Sequence, residues 1–130
     1  MSRNGAAGVI IRYEDEFLLM KRSLEVDNYP NTWSIPGGGI EDNEIPYQAA
    51  IRELFEETQI DSNELEFEDY VESLERNSML QAFHIFLWSS NSKLTPILDF
   101  EHTEYGWYKL SKLPEPMTSE MIEKLYEIVA

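Results

Sequence analysis

The stretch GGGIEDNEIPYQAAIRELFEETQI, residues 37–60, decides the reading of this chain. Three glycines open it as a turn, and the acidic run Glu41-Asp42-Asn43-Glu44 follows as a loop. Pro46 suits the first turn of a helix, where its missing N–H costs nothing. From there to about Thr58 the residues are good helix formers. At 100° per residue, Tyr47, Ala50, Ile51, Leu54 and Phe55 make one broad apolar face. Glu53, Glu56 and Glu57 occupy an adjoining arc, with Ala49 beneath them, so the acids border the face expected to be buried.

Three carboxylates at i, i+3 and i+4 sit within one helical turn. Alone, such a cluster repels itself and weakens the helix. Hard oxygen donors in that arrangement suit Mg2+, with Mn2+ as a substitute, and both ions share carboxylates with substrate phosphate oxygens. Arg52, four residues before Glu56, can orient a carboxylate through a charge-assisted hydrogen bond. The glycines allow backbone to approach metal and phosphate where side chains would obstruct. A pair of adjacent glutamates is by itself usually a solvated face; the glycines, Arg52 and the third acid move the balance toward a metal site.

The segment resembles the Nudix box, G-x5-E-x7-R-E-U-x-E-E-x-G-U, where U is a bulky aliphatic residue. Gly38, Glu44, Arg52, Glu53, Leu54, Glu56, Glu57 and Ile60 fall in register, with the box spanning residues 38–60. Gln59 stands where the family has glycine. A residue ending a helix there usually adopts the left-handed conformation, which costs a non-glycine residue on the order of 1 kcal/mol. A small stability effect and intact chemistry are expected. Trp33-Ser34-Ile35-Pro36-Gly37 and Glu101-His102-Thr103-Glu104-Tyr105-Gly106-Trp107 also look like the family, so the resemblance extends over the whole chain as one domain, residues 1–130.

The resemblance implies metal-dependent hydrolysis of a nucleoside diphosphate linked to another group, by attack of water on phosphorus. It implies that Glu53, Glu56, Glu57 and the carbonyl of Gly37 are metal ligands. Glu53 would be a ligand or the base for water, Arg52 its orienting partner, and Glu44 a support for the loop–helix junction. A late acid completes the site in some relatives, and Glu101 and Glu104 are the candidates. Many relatives carry a phosphate-binding lysine at the position of Gly39, so Lys21 or Arg22 is expected to compensate, beside Gly38. Substrate markers after the box, a proline or a tyrosine, are absent around Leu74–Met79. Thr118 and Ser119 stand where triphosphate-cleaning relatives read the base with Asn or Asp. A nucleoside triphosphate is slightly favoured as substrate over a nucleotide sugar such as ADP-ribose. The rivals are a non-catalytic nucleotide-binding module and a plain acidic interaction domain.

Outside the box, Gly5–Arg12 reads as a strand, Glu14–Glu16 as a turn and Phe17–Lys21 as the returning strand. Lys21 and Arg22 are either gatekeepers of an edge strand or phosphate contacts. Ser23–Thr32 is a loop, and Trp33–Ile35 a short extended piece. Leu65–Glu72 alternates loosely as a strand, Leu80–Trp88 is apolar enough for a central strand, and Tyr105–Leu110 is another. A last helix, capped by Thr118 or Ser119, presents Met121, Ile122, Leu125, Ile128 and Val129. Tyr29, Phe83 and Trp107 are candidates for stacking on a base, although aromatics in such places are more often core. His102 reads as a surface loop residue and His84 as packed in the sheet. The fold class is α/β (α+β): following the resemblance, an α/β/α sandwich with a mixed sheet between helices.

The 130 residues are 42% hydrophobic and 12% aromatic, enough for a single core. The net charge of −15, from 25 acids and 10 bases, repels polyanions and makes long nucleic acid an unfavourable partner. A small phosphorylated substrate is compatible once metal inverts the local field. Without cysteine there is no disulfide frame, thiolate metal site or cysteine nucleophile, which suits a reducing compartment. No run is long enough to cross a membrane. The protein is expected to be soluble and cytoplasmic; a homodimer accords with the many dimeric relatives.

Overall fold

A computed structural model describes residues 4–74 and 82–129. The start of the expected central strand at Leu80, and nearly all of the stretch searched for substrate markers, fall outside those residues. The elements in chain order are β1 (Ala6–Tyr13), β2 (Glu16–Arg22), β3 (Trp33–Ser34), β4 (Gly37–Gly39), α1 (Pro46–Thr58), β5 (Glu66–Leu74), β6 (Ala82–Ser89), β7 (His102–Tyr108) and α2 (Ser119–Val129). Single turns of 3-10 helix follow α1 and β7.

The apolar run after Gly5 becomes the centre of the sheet. Ala7, Val9, Ile10 and Ile11 have no exposed surface, as a strand covered on both faces requires. β1 runs parallel to β6, from Ala6↔Phe83 to Arg12↔Ser89, and β5 pairs antiparallel outside β6. The other edge of β1 is shared. Its end pairs with β2 through Arg12↔Phe17, and its start pairs with β4 through Ala6↔Gly39, Ala7↔Gly38 and Gly8↔Gly37. β2 carries β3 and β7 in turn, which completes a seven-stranded mixed sheet.

Alternation along the strands divides the core between the helices. Ala7, Val9, Ile11, Leu18, Phe86 and Trp88 face α1, together with Ala49, Ala50 and Leu54. Ile10, Phe17, Leu19, Ile85 and Leu87 face Leu125 and Ile128 of α2. This is the α/β/α sandwich with a mixed sheet. Among the described residues, no helix is long and apolar enough to cross a membrane.

Three local readings change. Gly37–Gly39 is a strand rather than a turn. A Cβ on Gly37 would fall 2.4 Å from the Ala7 carbonyl oxygen, so the missing side chain lets this ribbon lie tightly on β1. The buried face of α1 is narrower than its apolar arc and rotated toward the acids. Ala49, Ala50, Leu54, Glu57 and Thr58 are buried, whereas Tyr47 and Phe55 are 42% and 52% exposed. The two alanines bring the helix close to β1 and β4, leaving the arc's far side uncovered, although Tyr47 still packs edge-on against Phe86. Finally, Lys21 and Arg22 guard no edge: β2 is bonded to β3 and β7 there.

Candidate metal and phosphate site

The site forms where α1 crosses the β4 ribbon. Gly38 points at the helix, and a Cβ there would lie 2.6 Å from Glu53 Oε2. The neighbouring Gly37 N–H donates to Glu57 Oε1 at 3.0 Å. Glu57 is therefore bonded to the ribbon's backbone, and Glu53 lies over a position where any side chain would displace it.

Arg52 is the hub of the arrangement. Its Nε and Nη2 bind Glu44 Oε2 and Oε1 at 2.7 and 3.0 Å, a two-point pairing of guanidinium and carboxylate. Nη1 donates to Glu53 Oε1 at 2.8 Å and to Glu56 Oε1 at 3.2 Å. Nη2 also donates to the Gly39 carbonyl at 2.9 Å, which ties the hub to β4. Glu44 accepts from the Glu41 N–H besides, bracing the acidic loop. The Arg52 bond holds its carboxyl below the usual range, while the Arg52 guanidinium is pushed up, chiefly by Glu44. Arg52 pairs with Glu44, Glu53 and Glu56, and more distantly with Glu41 at 3.7 Å; Glu57 is left out.

Glu57 is 3% exposed. Burial, opposed by the Gly37 N–H and reinforced by the charges of Glu53 and Asp99, pushes its carboxyl up to about 10. Its other neighbours are acids as well: carboxylate oxygens of Glu57, Asp99 and Glu101 lie within 4.8 Å of one another. A buried acid among acids is costly unless a cation joins them. The donor set is all hard oxygen, which fits Mg2+ or Mn2+.

The late loop reaches Glu57 through identifiable anchors. Ile97 N–H donates to the Thr58 carbonyl at 2.9 Å, just past Glu57, and Trp107 Nε1 donates to the Leu94 carbonyl at 3.1 Å. The Glu101 carbonyl accepts from Ser23 N–H at 2.8 Å. His102 is buried rather than on a surface loop. Its Nδ1 lies 2.8 Å from Asp99 Oδ1 and, since a carboxylate only accepts, carries the proton. Of the two late candidates, Glu101 joins the cluster; Glu104 lies on β7 at 3.7 Å from Lys21 Nζ. Asp99 was missed. Its signal was the acid–x–acid–His run 99–102, which spacing within the box could not connect to Glu57.

The remaining candidates are scattered. Arg22 Nε donates to the Asn28 carbonyl at 2.8 Å, and Thr118 Oγ1 accepts from Met121 N–H as the cap of α2. Tyr29 is 60% exposed, Trp107 is committed to the core, and Phe83 lies against α2. His84 is in the sheet as expected, half-buried and 2.6 Å from the Tyr70 hydroxyl.

The family model described as the NUDIX domain matches residues 1–127. The chain is 36% identical over 87 residues to the 8-oxo-dGTP diphosphatase of Proteus vulgaris, covering 65% of this chain and 77% of that protein. It is 52% identical over 44 residues to diphosphoinositol polyphosphate phosphohydrolase 3-beta of Bos taurus. That match covers 34% of this chain and 24% of the relative, so the chain spans about a quarter of its length. Among solved structures, a Nudix hydrolase from M. Smegmatis superposes with a TM-score of 0.82 at 21% identity, over 98% of this chain and 86% of the other. The MutT protein of Methanosarcina mazei Go1 gives 0.73 at 24% identity, over 94% and 91%. These two likenesses concern the fold.

Proposed function

The chain belongs to the NUDIX domain family, and from that premise we propose that it is a Mg2+-dependent pyrophosphohydrolase of a small nucleotide, a nucleoside triphosphate ahead of a nucleotide sugar. The carrying observation is the buried Glu57 among Glu53, Asp99 and Glu101, beside an arginine that already neutralises the other helix acids. The match to an 8-oxo-dGTP diphosphatase over most of that relative's length supports a triphosphate.

Glu56, Glu57 and the Gly37 carbonyl would hold the ion, with Glu101 and Asp99 contributing from the loop. When bound, Mg2+, or Mn2+ in its place, neutralises phosphate charge and lowers the pKa of coordinated water. Glu53 is the base: Arg52 Nη1 occupies Oε1, which leaves Oε2 to take the proton of the attacking water. The water oxygen bonds to phosphorus, and the bridging oxygen leaves with the other half of the pyrophosphate. Gly37 and Gly38 keep the floor free of side chains, and Lys21 and Arg22, at the end of β2, are the bases proposed for the distal phosphate. Arg52 is a positioning residue, acting through Glu53. The reaction suits a cytoplasmic setting, as does a cysteine-free chain.

The test is a panel of nucleoside triphosphates and nucleotide sugars with Mg2+ and Mn2+, scored by product identity. Release of nucleoside monophosphate is expected only with metal. A panel yielding no metal-dependent product from pure protein overturns the reading. Binding without turnover would favour a non-catalytic module instead.

A further inference from the structure

His102 is buried at an end of β7 that is otherwise exposed. Thr103, Glu104 and Tyr105 beside it face solvent, whereas the His102 side chain is 1% exposed. The strand pairing accounts for the contrast. Lys21 pairs with Glu104 and Arg22 with His102, so Thr103 is an extra residue with no partner on β2. A bulge of this kind commonly re-aims a side chain beside a functional site. Here the imidazole meets Asp99, with Nδ1 2.8 Å from Oδ1.

The Asp99 carboxylate is thereby held in one sense. Oδ1 accepts from His102 Nδ1 and, at 3.3 Å, from the Glu101 N–H, which engages both of its lone pairs. Oδ2 is the oxygen left for an ion. One carboxylate oxygen from each of Asp99, Glu57 and Glu101 lies within 4.8 Å of the others. The backbone repeats the constraint: His102 N–H donates to the Asp99 carbonyl at 3.3 Å, and the Glu101 carbonyl accepts from Ser23 N–H. The terminal torsion of an aspartate is broad and two-fold, so hydrogen bonds decide which oxygen faces which way. On α1, Arg52 engages one oxygen of Glu53 in the same manner.

We propose that His102 is a positioning residue of the metal site, fixing Asp99 so that one carboxylate oxygen is presented to the ion beside Glu57. The inference rests on the metal-dependent reading above and adds to it a residue that acts only through Asp99. A ligand held in place beforehand loses less freedom when the ion arrives. Donors behind metal ligands commonly contribute about 10- to 100-fold in affinity.

The test is Mn2+ binding to the full chain without nucleotide, read from the electron paramagnetic resonance of the free ion. Two amide replacements separate positioning from packing. In His102→Asn the amide nitrogen takes the place of Nδ1; in His102→Gln it takes the place of Nε2 and leaves Asp99 without its donor. His102→Gln should weaken Mn2+ binding by about 10- to 100-fold. It should raise the Mg2+ concentration for half-maximal turnover by the same factor, with the loss in metal requirement rather than in kcat at saturating Mg2+. His102→Asn should keep an affinity close to the wild type's. A residue that serves packing alone would lower the melting temperature of both variants in chelator and leave Mn2+ affinity where it was. In the wild type, where folding is not in question, the nitrogen NMR signal of His102 Nδ1 should shift as Mg2+ is added. Unchanged Mn2+ affinity in His102→Gln overturns the proposal, as does an equal loss in His102→Asn or a wild-type Nδ1 signal that stays in place. A wild type that binds no Mn2+ removes the metal reading and this inference with it; normal binding with unaffected variants removes the inference alone.

Discussion

The two helices cover opposite faces of one sheet, and each buries one charged side chain, yet they treat it differently. On α1 the buried charge is Glu57, packed among other acids and bonded to a backbone N–H. On α2 it is Lys124, set against the Phe83 ring and in no ion pair among the described residues. Neither charge is compensated by its opposite. A fold that could pair the two, or expose either, instead keeps them on separate faces. The difference teaches that a long side chain can bury its stem while its charged end stays at the boundary, whereas the short carboxylate of Glu57 is enclosed and needs a partner. α1 alone needs an internal regulator, because several acids compete there, and Arg52 fills that role by binding every one of them except Glu57.

The comparison breaks most visibly at Glu57. Replacing Glu53 by Gln should lower kcat/KM of the metal-dependent reaction by about a thousandfold, the middle of the range for losing acid–base chemistry, and Glu57→Gln should lower it by removing a ligand of the ion, an effect that added Mg2+ partly reverses. Gly38→Ala should cost about a hundredfold in turnover, because the new methyl displaces the Glu53 carboxylate. Its circular dichroism should stay native.

The pH dependence of stability sharpens the contrast further. The Glu57 carboxyl is raised from 4.5 to about 10, so the metal-free folded state keeps a proton that the unfolded chain releases. Stability should therefore fall as pH rises from about 4.5 toward 10, by at most about 1.4 kcal/mol per pH unit. Denaturant titrations in chelator would measure it, and Glu57→Gln should flatten the slope. Arg52→Lys loses the two-point bond to Glu44 and should destabilise by about 1–2 kcal/mol, since the group is partly exposed. The smallest effect is expected at the end of α1. Gln59 is left-handed, φ 60° and ψ 19°, with its N–H donating to the Phe55 carbonyl. Gln59→Gly should therefore gain about 1 kcal/mol and leave turnover unchanged.

What could be read before the structure was whatever spacing controls. The acid arc of α1, the left-handed residue at 59 and the inner place of the strand through Trp88, paired on both sides, all follow from local periodicity and flanking residues. What could not be read depends on approach between distant segments. Gly37–Gly39 is a strand because Ala7 and Gly8 accept a bare backbone against them. Tyr47 and Phe55 stay exposed because Ala49 and Ala50 set the depth and roll of the helix. Asp99 reaches the site only because the Thr58 carbonyl captures Ile97. Lys124 looks from sequence like one more polar position beside Leu125. Nothing within its helix announces that the ring of a remote strand lies beneath it.

The parallel pairing of β1 with β6 also governs how the chain finds its shape. Its register joins Ala6 to Phe83, so the fully buried strand is made well before its main neighbour and waits for it until the segments between them have been synthesised. Pairing over such a sequence distance closes a large loop before any contact rewards it, which slows folding and lengthens exposure of the unpaired strand. The β1–β2 hairpin supplies the local contacts available in the meantime. A nascent chain stalled before residue 82 would hold the glycine ribbon, the acid helix and the strand they pack on, but lack that strand's parallel neighbour. Such a fragment should be a target for chaperones and proteases rather than a partial enzyme.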